Sequence, residues 1–194
     1  MSFVGERERG LILDLLRGQI REDEFYRGFG IKPGEGSSTG RAMLRRALRE
    51  KDPTGVEFGL YLGHRFGISD EYLDMLLDLA VASWHERHED VIDALAKLKA
   101  PKSVDALFRT ALTSFPYREY DEFNSLGMKC VRALAAIQTK DAIARLGDLM
   151  ASGGPNLEGE VQAQLQRIAS NGSSEVARET AREMLALRGR RIGP

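Results

Sequence analysis

Apolar residues recur every three or four positions along most of the chain and sustained alternation is absent, a pattern that predicts helices throughout. In GLILDLLRGQI, Leu11, Ile12, Leu15 and Leu16 share one face, and Gly18 interrupts the run. REDEFYRGFGI reads as a short helix with Phe25, Tyr26 and Phe29 turned inward. KPGEGSSTG is dense in Gly, Pro and Ser and has no apolar period, so a flexible loop is expected over 32–40. Helical spacing resumes in RAMLRRALRE. Asp52-Pro53 then supplies a start signal, a side chain able to accept from first-turn amides followed by a proline whose missing N–H is not needed there.

Beyond Asp52 the predicted helices come in pairs, with hairpins over 53–84, 88–113, 121–151 and 157–188. In the first pair Ser69 is expected to cap, and Asp70 and Glu71 suit the positive end of the next helix. The pairs superpose. A shift of 39 sets Val91 on Cys130, Ala94 on Ala133, Leu95 on Leu134, Leu98 on Ile137, Val104 on Ile143 and Leu107 on Leu146. A shift of 32 in the other direction brings Leu62, Phe66, Tyr72 and Met75 onto Ala94, Leu98, Val104 and Leu107. A shift of 31 carries Leu134 and Ile137 onto Leu165 and Ile168, and two further residues in the last turn bring Val176 onto Ile143. A hairpin this thin cannot bury its own apolar face, so neighbours must stack over a shared core. The expected architecture is an all-α, short right-handed α-solenoid, with residues 1–52 as an N-terminal helical cap and the whole chain as one structural unit.

The segment VIDALAKLKAPKSVDALFRTAL, Val91 to Leu112, resembles a HEAT repeat of the short bacterial type: an Ala-Leu helix, a proline-containing turn, then Val and Leu three apart. VRALAAIQTKDAIARLGDLM repeats the form with Lys140 in place of Pro101. More narrowly, SWHERHEDVIDALAKLKAPKSVDALFRTAL followed by PYREYDEFNSLGMKCVRALAAIQT, behind the leader LILDLLRGQIREDEFYRGFGI, is similar to small HEAT-like bacterial immunity proteins that accompany secreted or contact-delivered toxins. That resemblance implies a HEAT-like solenoid that binds and blocks a cognate protein toxin domain in the cytoplasm of the producing cell.

Composition narrows the alternatives. Basic and acidic residues nearly balance, 28 against 29, so no global field favours nucleic acid or an acidic membrane surface. Residues 51–120 nevertheless carry 8 basic and 12 acidic side chains, while the chain ends on the basic run RGRR from Arg188. The single cysteine, Cys130, excludes an internal disulfide framework and reads as a small core residue. MSFVGERERG lacks the apolar stretch of a signal peptide and no run approaches membrane-spanning length, so a soluble cytoplasmic protein without a membrane partner is expected.

Candidate chemistry concentrates in WHERHED, Trp84 to Asp90. His85 and His88 would face one side of a helix and could seat a metal if Glu89 or His64 joined them. Zinc-protease motifs instead space their histidines four apart on one uninterrupted helix. Here the superposition puts a boundary between hairpins inside the stretch, so Trp84 is expected to close one helix and Glu89 and Asp90 to open the next. No metal, cofactor or catalytic residue is assigned. The glycine-rich GFGIKPGEGSSTG follows no strand and ends in Gly40-Arg41, so it is not read as a phosphate loop. FPYREYDEF lengthens the turn between two repeats, and inserted turns sit on solenoid edges where partners bind. Phe115 and Phe123 are expected to plug the core, and Asp121 is suited to capping the following helix. Tyr117 and Tyr120 would offer contact area, and Asp121 and Glu122 negative charge. With Glu86, Glu89, Asp90 and Asp93 they define the expected partner-binding region. Its acidity would suit a nuclease toxin, by mimicking phosphates and steering association.

Two other functions compete. A HEAT-like scaffold or regulator with a non-toxin partner has the same composition. A HEAT-like DNA glycosylase would want a basic concave groove, plus an aromatic and a carboxylate near the damaged base, whereas this chain has one Trp and an acidic centre, so no direct nucleic-acid contact is expected.

Overall fold

A computed structural model describes residues 2, 4–119, 121–152 and 155–191, with the side chains of 155 and 188–191 outside that description. The fold is all-α, and no strand occurs among the described residues. The chain divides into two compact units, Met1–Val91 and Ile92–Pro194, the division falling within one helix.

The first unit contains α1 (Glu6–Leu16), α2 (Glu22–Phe29), α3 (Gly36–Glu50), α4 (Pro53–Phe66) and α5 (Leu73–Ala80), and ends in the first residues of α6 (His88–Leu98). Glutamates that reach back one turn set its early helix starts. Glu8 accepts from the Gly5 N–H at 3.1 Å and Glu24 from the Arg21 N–H at 2.9 Å. Asp52 caps α4 as expected, its Oδ1 accepting from the Thr54 N–H at 3.0 Å, with Pro53 at the first helical position. Ile12, Leu15, Phe25, Met43, Phe58 and Leu62 form the buried cluster that holds α1 and α2 against α4, with Tyr26 and Phe29 packed at its margin.

The most extensive helix packing in this unit is between α3 and α4. The loop expected over 32–40 is shorter than that, because α3 begins at Gly36. What looked like loop composition is a close-approach surface. A methyl on Gly40 would lie 2.9 Å from the Gly59 carbonyl oxygen and the Gly63 nitrogen, and one on Gly36 would overlap the Phe66 ring. Gly36 facing Phe66 while Leu44 faces Gly59 also shows that the two helices run antiparallel. Ser69 precedes a single 3₁₀ turn, Asp70–Tyr72, but its side chain makes no capping bond. Tyr72 instead fixes this corner, donating from its hydroxyl to the Ser37 carbonyl.

The second unit takes in the rest of α6, then α7 (Val104–Leu112), α8 (Ser125–Ile137), α9 (Lys140–Ser152), α10 (Pro155–Asn171) and α11 (Glu175–Arg191). Its helices pack on the next and the next but one: α7 on α8 and α9, α8 on α9 and α10, α9 on α10 and α11. Ion pairs follow the same spacing. Arg132 of α8 grips Glu160 of α10 through two hydrogen bonds of 2.8 and 3.2 Å, and Arg145 of α9 reaches Asp105 of α7 at 3.0 Å.

Burial follows the superposed positions. Five of the six pairs related by 39 are buried on both sides, and the sixth, Leu98 with Ile137, is half-buried on both. The four pairs related by 32 also agree, with only Phe66 and Leu98 half-buried. The backbone carries a matching signal: Gly67, Lys99 and Gln138 occupy equivalent places after their helices, and all have positive φ, 108°, 50° and 55°. The last pair departs from the expected register. Val176 is 58% exposed, and Ala177, Thr180 and Ala181 face the interior instead. Ser174 sets this phase by accepting from the Ala177 N–H at 3.1 Å, and Met184 fills the space beside Gly147 of α9.

Candidate functional site

The histidines of WHERHED lie in the connection from α5 and at the first residue of α6, so they do not share a helix. Both are buried, and their rings stack with centroids 4.3 Å apart. His85 Nε2 is 2.9 Å from the Leu79 carbonyl oxygen, which can only accept, so this nitrogen carries the proton. His85 Nδ1 accepts from the Arg87 N–H at 3.0 Å. The neutral tautomer is thereby set, and neither nitrogen has a lone pair left for a ligand. Burial, only partly opposed by the Leu79 bond, pushes the His85 pKa below the ordinary histidine value. His88 Nε2 donates to the Ala82 carbonyl at 2.8 Å. The pair therefore adds side-chain donors to carbonyls at and just beyond the C-terminal turn of α5, where the Leu79 carbonyl also accepts from the Ala82 N–H at 3.2 Å. His64, the third candidate ligand, hydrogen-bonds through Nε2 to the Asp90 carbonyl at 3.2 Å. Trp84 stands edge-on to His85, with ring centroids 5.2 Å apart.

Around this knot Glu86 is exposed, while Glu89 and Asp90 are half-buried in the first turn of α6, where the helix dipole favours them. Arg87 pairs with Glu57 of α4. Asp93, one turn further on, belongs to the second unit and pairs with Lys129 of α8 at 2.7 Å.

The other candidates lie on the α7–α8 connection, residues 113–124, which contains one short 3₁₀ turn, Pro116–Arg118. Phe115 is buried as expected, but Phe123 does not plug the core: it is 73% exposed. Helix α8 begins only at Ser125, where the Asn124 side chain accepts from the Gly127 N–H, so Phe123 precedes the helix. Asp121 is the second cap of that helix. It accepts from the Ser125 N–H at 2.9 Å and hydroxyl at 3.0 Å, and from Arg118 at 2.5 Å. Burial works against its charge, but the Arg118 and Ser125 hydrogen bonds outweigh that and hold the carboxyl below the usual aspartate range. Tyr117 is half-buried, 6.1 Å from Phe115 and 5.8 Å from the Arg118 guanidinium carbon. Tyr120 lies outside the described residues. Glu122 is exposed, and its carbonyl accepts from Asn156 of α10 at 2.8 Å.

The connection borders a cleft of about 460 Å³ lined by Leu112, Ser114, Phe115, Arg118, Glu119 and Asp121, with Ser152 contributed by α9. Sequence reasoning had not singled out Leu112 or Glu119. The available signal was the length of the insertion, since a segment too long for a turn must fold back on its neighbours. Glu86, Glu89 and Asp90 fall in the first unit and Asp93, Tyr117, Asp121 and Glu122 in the second. Cys130 is fully buried in α8, and desolvation raises its thiol pKa far above the ordinary range. Among the described residues no group of three His, Cys, Asp or Glu side chains is arranged to hold a metal ion, and no helix is long and apolar enough to cross a membrane. Comparison with protein-family models, with curated proteins and with solved structures found no match.

Proposed function

We propose that this chain is a non-enzymatic binding protein, a HEAT-like helical-repeat array that neutralises a cognate bacterial toxin domain. The observation that carries the reading is the recurrence of one register over the first three pairs, in burial and in the positive-φ residue that follows the first helix of each of them. Repeat arrays of this kind work by presenting stacked surfaces rather than by enclosing a reaction. The reactive side chains support it from the other side. His85 has both ring nitrogens engaged by main chain, and the Cys130 thiol is held protonated in the core. The sequence resemblance to immunity proteins supplies the toxin as partner, and the exposed Glu119, Glu122 and Phe123 of the α7–α8 connection supply a surface for it.

The test starts from the open reading frame immediately upstream. The C-terminal domain it encodes is expressed with and without this chain. Co-purification and restored growth of the host are expected. A toxic domain that neither binds the chain nor is neutralised by it would overturn the toxin reading.

A further inference from the structure

The cleft beneath the α7–α8 connection has an unusual balance of groups. Its one cation among the described residues, Arg118, is committed: it donates to Asp121 and Ser125, both at 2.5 Å, and lies against the Tyr117 ring. That commitment leaves little to recruit an anion. Glu119 is exposed and lines the cleft, and Glu122 stands exposed three residues later. Neither has an ion-pair partner among the described residues. Asp121 is neutralised by Arg118, so the net field of this segment comes from the two glutamates. Beside them are two large apolar side chains that folding leaves in water, Leu112 at 45% and Phe123 at 73% exposure. Leu112 lines the cleft, and Phe123 sits in sequence between the lining residues Asp121 and Asn124. An exposed aromatic beside a recess and uncompensated charge is the composition of an interface anchor, not of a solvated loop.

We infer that this cleft seats a basic and aliphatic segment of a protein partner, with a lysine or arginine side chain drawn by Glu119 and Glu122 and a neighbouring apolar side chain against Leu112 and Phe123. Charge complementarity selects the occupant. An acidic peptide would be repelled by the unpaired glutamates, and a nucleic-acid backbone would be repelled for the same reason. The assignment rests on the proposed binding function and names the part of the toxin surface that the connection would take.

The probe is the peptide acetyl-Leu-Lys-Leu-Lys-Leu-amide, titrated to millimolar concentration into the ¹⁵N-labelled full chain, with the counterpart carrying glutamate for lysine as control. Saturable amide shifts confined to residues 111–126 and 152 are expected with the basic peptide alone, weakening as salt is added. Phe123→Ala and Glu119→Lys, both at exposed positions, should keep the wild-type melting temperature and each weaken binding about tenfold or more. Equal response to both peptides, shifts mapping elsewhere, or no shift at millimolar peptide would overturn the inference. The two readings fail separately. If the Phe123→Ala/Glu119→Lys double variant still neutralises the toxin domain at wild-type strength, the cleft is refuted and the toxin reading stands. If the peptide binds as described but the toxin is not neutralised, the cleft stands and its partner is another protein.

Discussion

Gly40→Ala tests the packing that organises the first unit. The new methyl would lie 2.9 Å from the Gly59 carbonyl oxygen, the Gly63 nitrogen and the Leu62 Cβ. Two of those three atoms are main chain and none is the end of a flexible side chain, so α3 and α4 must separate by about 0.5 Å, a gap that forfeits roughly a quarter of the dispersion attraction between facing atoms. Met43, Leu44 and Leu62 are buried near this crossing and lose contact together. With the residual overlap, the cost reaches about 3 kcal/mol, the upper end for overpacking. Alanine's better helix preference offsets about 1 kcal/mol, leaving a net loss of about 2 kcal/mol. Gly10→Ala in α1 is the control, because nothing lies within 4 Å of its added methyl. There the preference acts alone and should stabilise by up to about 1 kcal/mol. Trp84 is the only tryptophan and lies in the first unit, so its fluorescence during urea unfolding reads this unit selectively. With a slope on the order of 1 kcal/mol per molar urea, the midpoint should fall by roughly 2 M for Gly40→Ala and rise for Gly10→Ala. A Gly40→Ala midpoint at or above wild type, with Gly10→Ala raised as expected, would refute the close crossing.

Three other predictions concern the buried polar groups. Because desolvation lowers the His85 pKa in the fold, the unfolded chain binds the proton more readily; this residue's contribution is complete above about pH 6.5 and is lost as pH falls from there through the folded value. Urea midpoints read by Trp84 should therefore drop between pH 7.5 and 5.5. His85→Phe should flatten that slope while lowering the stability at neutral pH by about 1–3 kcal/mol, since the Arg87 N–H loses its partner and the Leu79 carbonyl keeps only the Ala82 N–H. Asp121→Asn should weaken the start of α8 by about 1 kcal/mol, seen as faster hydrogen exchange at Ser125 and Leu126 with little change in the first unit; unchanged exchange there would show that the cap contributes nothing. Cys130 should react with a chromogenic disulfide reagent at least about a hundredfold faster in denaturant than in buffer, and comparable rates would mean that α8 opens readily.

The helical class was legible because it depends on periodicity, which a single chain displays directly. Asp52-Pro53 read correctly for the same reason: its chemistry is local. The reading failed where a residue's role is decided by a distant neighbour. Gly36 and Gly40 have the composition of a loop, and only the approach of α4 makes them helix. Val176 and Ala177 are adjacent apolar residues, and the choice of which one faces inward is made by the Ser174 cap and by the space beside Gly147, neither visible as hydrophobicity. Lys99 and Gln138 carry no side-chain signal for positive φ, and they became comparable only through the backbone.

For the candidate site, identity in sequence was a poor guide to available charge. Asp121 is as acidic in sequence as Glu119, yet it is consumed by Arg118 and the N-terminus of α8, and Asp93 is consumed by Lys129. Reversing the charge at Asp121 would therefore damage the fold and weaken any binding indirectly, so such a variant cannot distinguish a contact from a cap. Glu86, Glu119 and Glu122 are exposed and outside the ion pairs that tie the helices together, which makes them the positions where charge reversal reads the surface itself. The same distinction applies to the aromatics. Phe115 is buried at 3% exposure and holds the connection in place, whereas Phe123, eight residues on and expected to do the same, is left in water. A sequence pattern identifies which side chains are able to bury or to charge a surface; the structure separates those the fold has already used from those a partner can still use.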